Sequence, residues 1–246
     1  MQRYHVLRFL VLLALIGLLA ACAAQPPAVL QTPTAPSREV VVALPIVLAE
    51  PQRWSGKELT LIAPVRVNAD ERVLTLALTQ KAATATASSA SGIWLAGPLP
   101  DDIRSKLKGN TGVLKLRGEL SPPGAYGREQ RFPYQFTAAS IAVLQSERTT
   151  LVNLAENPRA LDRILLRVEG TLLAQRDSAL LVDQVSEGGV PLAGGHQIKL
   201  SREQLEPGFL QSLSRSGDVR WGQVEVVGWW QDGTLTPFEI TIVKKQ

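Results

Sequence analysis

Leu48-Ala49-Glu50-Pro51-Gln52-Arg53 opens one stretch of this chain, and Leu154-Ala155-Glu156-Asn157-Pro158-Arg159 opens another. The residues just past each opening decide the fold. After the first, Leu59, Leu61, Ala63 and Val65 alternate with Thr60, Ile62 and Pro64. After the second, Leu166, Val168, Gly170 and Leu172 alternate with Arg167, Glu169 and Thr171. A period of two is the signature of a strand with one face on a core. A second strand comes next in each copy, Val73–Leu78 and Ser178–Val182. Then come a small-residue loop (81–92 and 184–195) and a short third strand, Ile93–Leu95 and Ile198–Leu200.

Both copies then change period. Ile103 and Leu107 lie four apart behind Asp101 and Asp102, with Lys106 and Lys108 at the end and Gly109 just past it. Acids first and bases last suit the helix dipole, and glycine suits a left-handed cap. In the second copy Ser201-Arg202-Glu203-Gln204 has the capping-box pattern. Leu205, Phe209, Leu210 and Leu213 form its stripe, broken locally at Pro207-Gly208. Fourth strands are expected at Val113–Leu120 and Gln223–Trp230, and fifth strands at Phe132–Leu144 and Pro237–Val243. The pairs Pro133-Tyr134-Gln135-Phe136 and Pro237-Phe238-Glu239-Ile240 support the alignment.

Three strands, a helix and two strands, repeated, resemble the OB-fold, a five-stranded Greek-key barrel with its helix between strands three and four. The expected class is all-β with short helices, as two tandem five-stranded OB-like barrels. A strand-like lead-in is expected before each, at Val40–Leu48 and Thr150–Leu154. A β-sandwich is the competing architecture; a helix in the same slot of both halves argues against it. The expected domains are 39–145 and 146–246.

The N-terminus gives an address. Arg3 and Arg8 precede an apolar run from Phe9 to Leu18, and Leu19-Ala20-Ala21-Cys22 comes after it. A positive head, a short apolar core and small residues before a cleavage point read as a secretory signal. The sequence LAAC resembles the lipobox of bacterial lipoproteins. That resemblance implies a signal peptide over 1–21, a diacylglycerol thioether on Cys22, and acylation (palmitate, for example) of its new amino group. The apolar stretch Phe9–Ala24 is shorter than the ~20 residues of a membrane span. Pro26, Pro27, Pro33 and Pro36 then make 22–38 a semi-extended tether. The expected location is extracytoplasmic, lipid-anchored to the cell membrane. Ala23 rather than Asp follows the cysteine, which in a cell with two membranes favours the outer one.

Charge and inventory narrow the chemistry. The net charge is +4, but removal of residues 1–21 leaves 24 Lys+Arg against 22 Asp+Glu. No run of four or five bases occurs, so composition argues against nucleic acid as a partner. One histidine, His196, and one cysteine remain. Two-histidine zinc sites and Cys-His nucleophile pairs are thereby excluded. His196 reads as an exposed loop residue in a glycine-rich turn, and Asp101-Asp102 as helix capping. We therefore expect no enzyme, no catalytic residue, no metal and no cofactor.

Two places attract a binding reading. OB barrels present ligands to strands two and three and to the one-two and four-five loops. The first copy's four-five loop, 121–131, carries Tyr126, Arg128 and Arg131, which can stack on and pair with a sugar, a base or an acidic group. The alternative is a stiff exposed loop with Tyr126 at its tip. In the second copy, alternation sends Val224, Val226, Gly228 and Trp230 one way and Gln223, Glu225, Val227 and Trp229 the other. The matching outward positions of the first copy, Lys115, Arg117 and Glu119, are charged. An outward Val227–Trp229 pair marks a covered surface, with the sister barrel as the expected cover and an envelope protein partner as the sharper one. The expected function is a membrane-tethered, non-enzymatic binding or assembly module. The alternative is oligosaccharide or single-stranded nucleic-acid binding through the barrel face.

Overall fold

Alternation in β2 (Glu58–Val67) puts Leu59, Leu61, Ala63, Val65 and Val67 on one face, and all five lie in a single buried cluster. In the computed structural model, which describes residues 39–67, 72–75, 92–186 and 190–243, that cluster is the interior of a closed barrel. Its strands are β2, β3 (Arg72–Thr75), β4 (Gly92–Leu95), β5 (Thr111–Leu120) and β6 (Gln135–Leu144). The ring runs β2-β3-β4-β6-β5 and closes where β5 pairs with β2 from Glu58–Glu119 to Arg66–Thr111. All its pairings are antiparallel except β4–β6, which is parallel. The second copy repeats this with β8 (Ile164–Ala174), β9 (Ala179–Val182), β10 (Gln197–Leu200), β12 (Val219–Gln231) and β13 (Thr234–Ile242). Here β12 closes on β8, and β10–β13 is the parallel pair. The protein is all-β with short helices, built as two tandem five-stranded OB-like barrels. Residues 1–38, and with them Cys22 and the tether, lie outside the described residues, as do 76–91 of the two-three loop.

Closure removes sheet edges, but a long first strand leaves part of one edge open. β3 pairs only with Val65–Val67 of β2, so β1 (Val41–Ala43) takes Thr60–Ile62 of the same edge, in parallel. β7 (Glu147–Thr149) does the same to Leu166–Val168 of β8. The lead-ins differ here from the sequence expectation. Only three residues of each are extended, and helices come next: α1 (Leu44–Ala49), α2 (Pro51–Trp54) and α4 (Leu151–Glu156). The reason is local. Leu44 and Val47, and Leu151 and Leu154, are three apart, so one helical face turns both into the barrel core. Thr150 accepts a hydrogen bond from the Asn153 N–H at 3.1 Å as an N-cap.

The helix between strands three and four is present in both copies, with altered details. α3 (Asp101–Lys106) buries Ile103 in the first core. Gly109 does not cap it. With φ of 58° beside Asn110 at 62°, it makes the two-residue turn between Lys108 and Thr111, whose N–H and C=O groups are bonded both ways. Positive φ at both central residues defines a type I′ hairpin turn. In the second copy Ser201 makes no side-chain cap; its hydroxyl lies instead 3.5 Å from that of Thr236. A 3₁₀ turn (Arg202–Gln204) precedes α5 (Pro207–Gln211), so proline at the first helical turn starts a new helix rather than breaking one. Leu205, Phe209, Leu210 and Leu213 all pack on the second core.

A bulge marks the same place in each copy. Register shifts at Arg117/Gly118 against β6 and at Val227/Gly228 against β13. A Cβ on Gly118 would lie 2.0 Å from the Thr137 carbonyl oxygen, and one on Gly228 would lie 2.6 Å from that of Thr236. Only glycine lets the backbones approach so closely. The shared bulge aligns Leu114, Leu116 and Leu120 with Val224, Val226 and Trp230, and all six are core residues. Lys115, Arg117 and Glu119 therefore match Glu225, Val227 and Trp229.

Candidate functional site

Ile93 and Leu95 enter the first core, so Trp94 between them points outward. There it meets Val73 of β3 and Phe132 from the segment before β6, with Tyr126 packed alongside. The Trp94 and Phe132 ring centroids are 5.7 Å apart and tilted by 36°. The Arg72 guanidinium lies over Trp94 at 5.4 Å and that of Arg131 over Phe132 at 5.9 Å. This is the strand two-three face at which an OB barrel presents ligands, and it alternates cations with aromatic rings.

The four-five loop covers it. Tyr126 and Phe132 bridge backbone to backbone, each N–H bonded to the other's carbonyl. A Cβ on Gly127, between them, would lie 2.7–2.8 Å from atoms of Trp94 and Phe132, so the loop backbone rests directly on the rings. Trp94 is only 9% exposed and Phe132 2%. Tyr126 is not a free tip: its hydroxyl donates to the Pro122 carbonyl at 2.9 Å. Arg128 and Arg131 both approach the Glu129 carboxylate, at 3.9 and 3.6 Å. The loop thus brings the three expected residues together and supplies an acid of its own. The sequence reading missed Trp94, Phe132 and Arg72. The available signal was that strands three and five are neighbours in this topology, which sets an outward Trp94 beside the entry to strand five.

Val227 and Trp229 lie elsewhere. Both are buried, Trp229 at 4% exposure, in a cluster with Leu165 and Phe238 of the second barrel and Val41, Ala43, Ile62 and Val113 of the first. Trp229 Nε1 donates to Gln231 Oε1 at 3.0 Å, so its polar atom is satisfied. Trp230 points into its own core and donates to the Pro158 carbonyl at 2.9 Å. The outer face of β12 is therefore one half of an apolar seam. The other half combines the first barrel's wall and its lead-in strand.

Beside the seam the outer surfaces are charged. On the first barrel, Glu39 accepts from the Thr60 hydroxyl at 2.6 Å and faces Lys115 at 3.6 Å; both hold its carboxyl below the ordinary range. Arg117 donates to Glu58 at 2.8 Å. On the second, Glu225 takes Arg167 and, at 3.2 Å, Arg148, which also reaches Glu169 at 3.0 Å. Arg148, Arg167 and Glu169 of this network line a groove of about 470 Å³ with Thr149, Thr150, Gln223 and Asp183.

His196 departs from the expected exposed loop residue. Its side chain is 34% exposed and pairs with Asp183. Its backbone N–H donates to Oδ1 at 2.9 Å, and its Nδ1 lies 2.9 Å from Oδ2. Burial pushes the Asp183 carboxyl up, but these bonds outweigh it and hold the carboxyl below its ordinary value. Among the described residues, no group of three His, Cys, Asp or Glu is placed to hold a metal ion, and no helix is long and apolar enough to cross a membrane. Neither the family models nor the curated proteins searched contain a match to this chain.

Proposed function

We propose that this chain is an exported lipoprotein, anchored through Cys22, whose two barrels act as one non-enzymatic binding or assembly module of the cell envelope. The address rests on Leu19-Ala20-Ala21-Cys22 behind a basic head and a short apolar run. Two acyl chains or more, at about 0.8 kcal/mol per buried CH₂, hold a folded unit on a bilayer durably. The module reading rests on one observation above all, the seam around Trp229. Arg117 and Glu119 of the first copy match Val227 and Trp229 of the second, and that apolar pair lies in a cluster that joins barrel to barrel. A fused pair offers a wide, stiff surface, which suits holding a partner protein. The inventory of one histidine and no free cysteine after lipidation supports a non-enzymatic role.

The Arg72–Trp94–Phe132–Arg131 stack favours a second reading, oligosaccharide or single-stranded nucleic-acid binding, which requires the 121–131 loop to lift. One experiment addresses both. The protein is recovered from its native envelope and its N-terminus analysed by mass spectrometry, with cross-linked neighbours identified in parallel. An acylated Cys22 and a specific protein neighbour are the expected outcome. An unmodified, uncleaved N-terminus on a freely soluble product overturns the proposal. Saturable binding of a glycan or single strand, abolished by Trp94→Ala, moves the assignment to the second reading.

A further inference from the structure

Arg176, Arg202 and Arg220 line one groove of about 460 Å³ on the second barrel, with Asp218 as the only acid among its lining residues. Three guanidinium groups against one carboxylate leave a local charge of +2 in a chain that is nearly balanced elsewhere. The arginines come from three separate elements: the β8–β9 loop, the 3₁₀ turn before α5, and the start of β12. Leu210, Pro207 and Ala174 supply apolar lining between them. No lining residue comes from β9, β10 or the β12–β13 turn, so the groove is separate from the strand two-three face.

One of the three cations is held in place by the backbone. Arg202 donates from Nε to the Gln175 carbonyl at 3.0 Å and from Nη1 to that of Leu205 at 3.4 Å. Half-buried Arg220 stands directly across the β11–β12 hairpin (β11, Ser214–Ser216) from Arg215. Arg215 in turn donates to the Gly217 carbonyl at 2.8 Å. Like charges opposite one another weaken a strand pair, and neither Arg176 nor Arg220 has a carboxylate partner among the described residues.

We propose that this groove is a binding site for a phosphate group. Arginine forks match oxyanions in two bonds at a time. A tetrahedral phosphate accepts from several directions, as donors from three elements require, whereas a planar carboxylate is satisfied by one or two forks. The phosphate is either free or borne by a lipid headgroup, and the chemistry of recognition is the same. Lipidation of Cys22 is not required for it.

The test uses the full chain in neutral detergent micelles. Binding is measured by titration calorimetry with inorganic phosphate, and with micelles doped with phosphatidylglycerol or, as control, a diacylglycerol that carries no phosphate. Saturable binding is expected in the phosphate arm, the phosphatidylglycerol arm or both. The arm that responds identifies the source. Arg220→Gln and Arg176→Gln should each weaken it about tenfold, the scale of one charge-assisted contact. Arg104→Gln, an exposed arginine of α3, should leave it unchanged. Arg176 sits on an exposed loop, so its variant keeps the test valid if Arg220→Gln fails to fold. No saturable binding in either arm, equal binding of the phosphate-free diacylglycerol, or an equal loss in Arg104→Gln overturns the proposal.

Discussion

Replacing Trp229 by alanine tests whether the seam is a structural joint. The indole is 4% exposed and packs in a cluster that draws residues from both barrels. Truncating a buried tryptophan costs about 3–5 kcal/mol in lost transfer energy and cavity, and the bond to Gln231 Oε1 is lost with it. The folded unit spans 39–246. For that size each kcal/mol moves the melting temperature by about 2–4 °C. The midpoint of thermal unfolding, followed by circular dichroism, should therefore fall by about 6–20 °C. The matched position in the first barrel, Glu119, is exposed. Glu119→Ala should stay within about 0.5 kcal/mol, a shift of at most about 2 °C. A Trp229→Ala melt within about 2 °C of wild type would refute the seam as described, because no buried indole of that size can vanish at so small a cost.

Gly118→Ala and Gly228→Ala should each lower the denaturant midpoint by the equivalent of about 1–3 kcal/mol. Gly118 should suffer more, because its added carbon would lie 2.0 Å rather than 2.6 Å from a carbonyl oxygen; equal midpoints to wild type would show that the bulges are not as tight as described. Gly127→Ala should lift the four-five loop off Trp94 and Phe132, read as greater acrylamide quenching of tryptophan fluorescence, and unchanged quenching would count against the loop as a cover. Asp183 has a folded pKa below its unfolded value, so its contribution is present above the unfolded value, about 3.9, and is lost as pH falls through the folded one. Acid titration of stability should therefore lose part of its slope below about pH 4 in Asp183→Asn, and an unchanged acid limb would deny the His196 pairing a role.

Much of the fold was legible because its signals are local. Alternation at Leu59–Val65 and Leu166–Leu172 needs only the pleat to assign the inner face. The repeated order of elements supplied the ring. The lead-ins were misread because an apolar stretch of four to six residues suits a strand or a single helical turn equally. Here burial of Leu44 with Val47, and of Leu151 with Leu154, settles the matter in favour of the turn. Ser201 has the right neighbours for a capping box, yet its hydroxyl faces Thr236 of a distant strand. Gly109 lies at helix-cap distance, yet a hairpin claims its left-handed φ.

By itself the amino-acid sequence determined that one unit occurs twice, which residues of the first and fourth strands face the core, and that Val227 and Trp229 belong under cover. All of that comes from side-chain period and composition over short stretches of chain. Only the tertiary structure decided what the cover is, which barrel face the four-five loop lies across, and that Arg176, Arg202 and Arg220 line one groove. Those outcomes depend on contacts between residues far apart along the chain, whose pairing is set by barrel closure and by the packing of the seam.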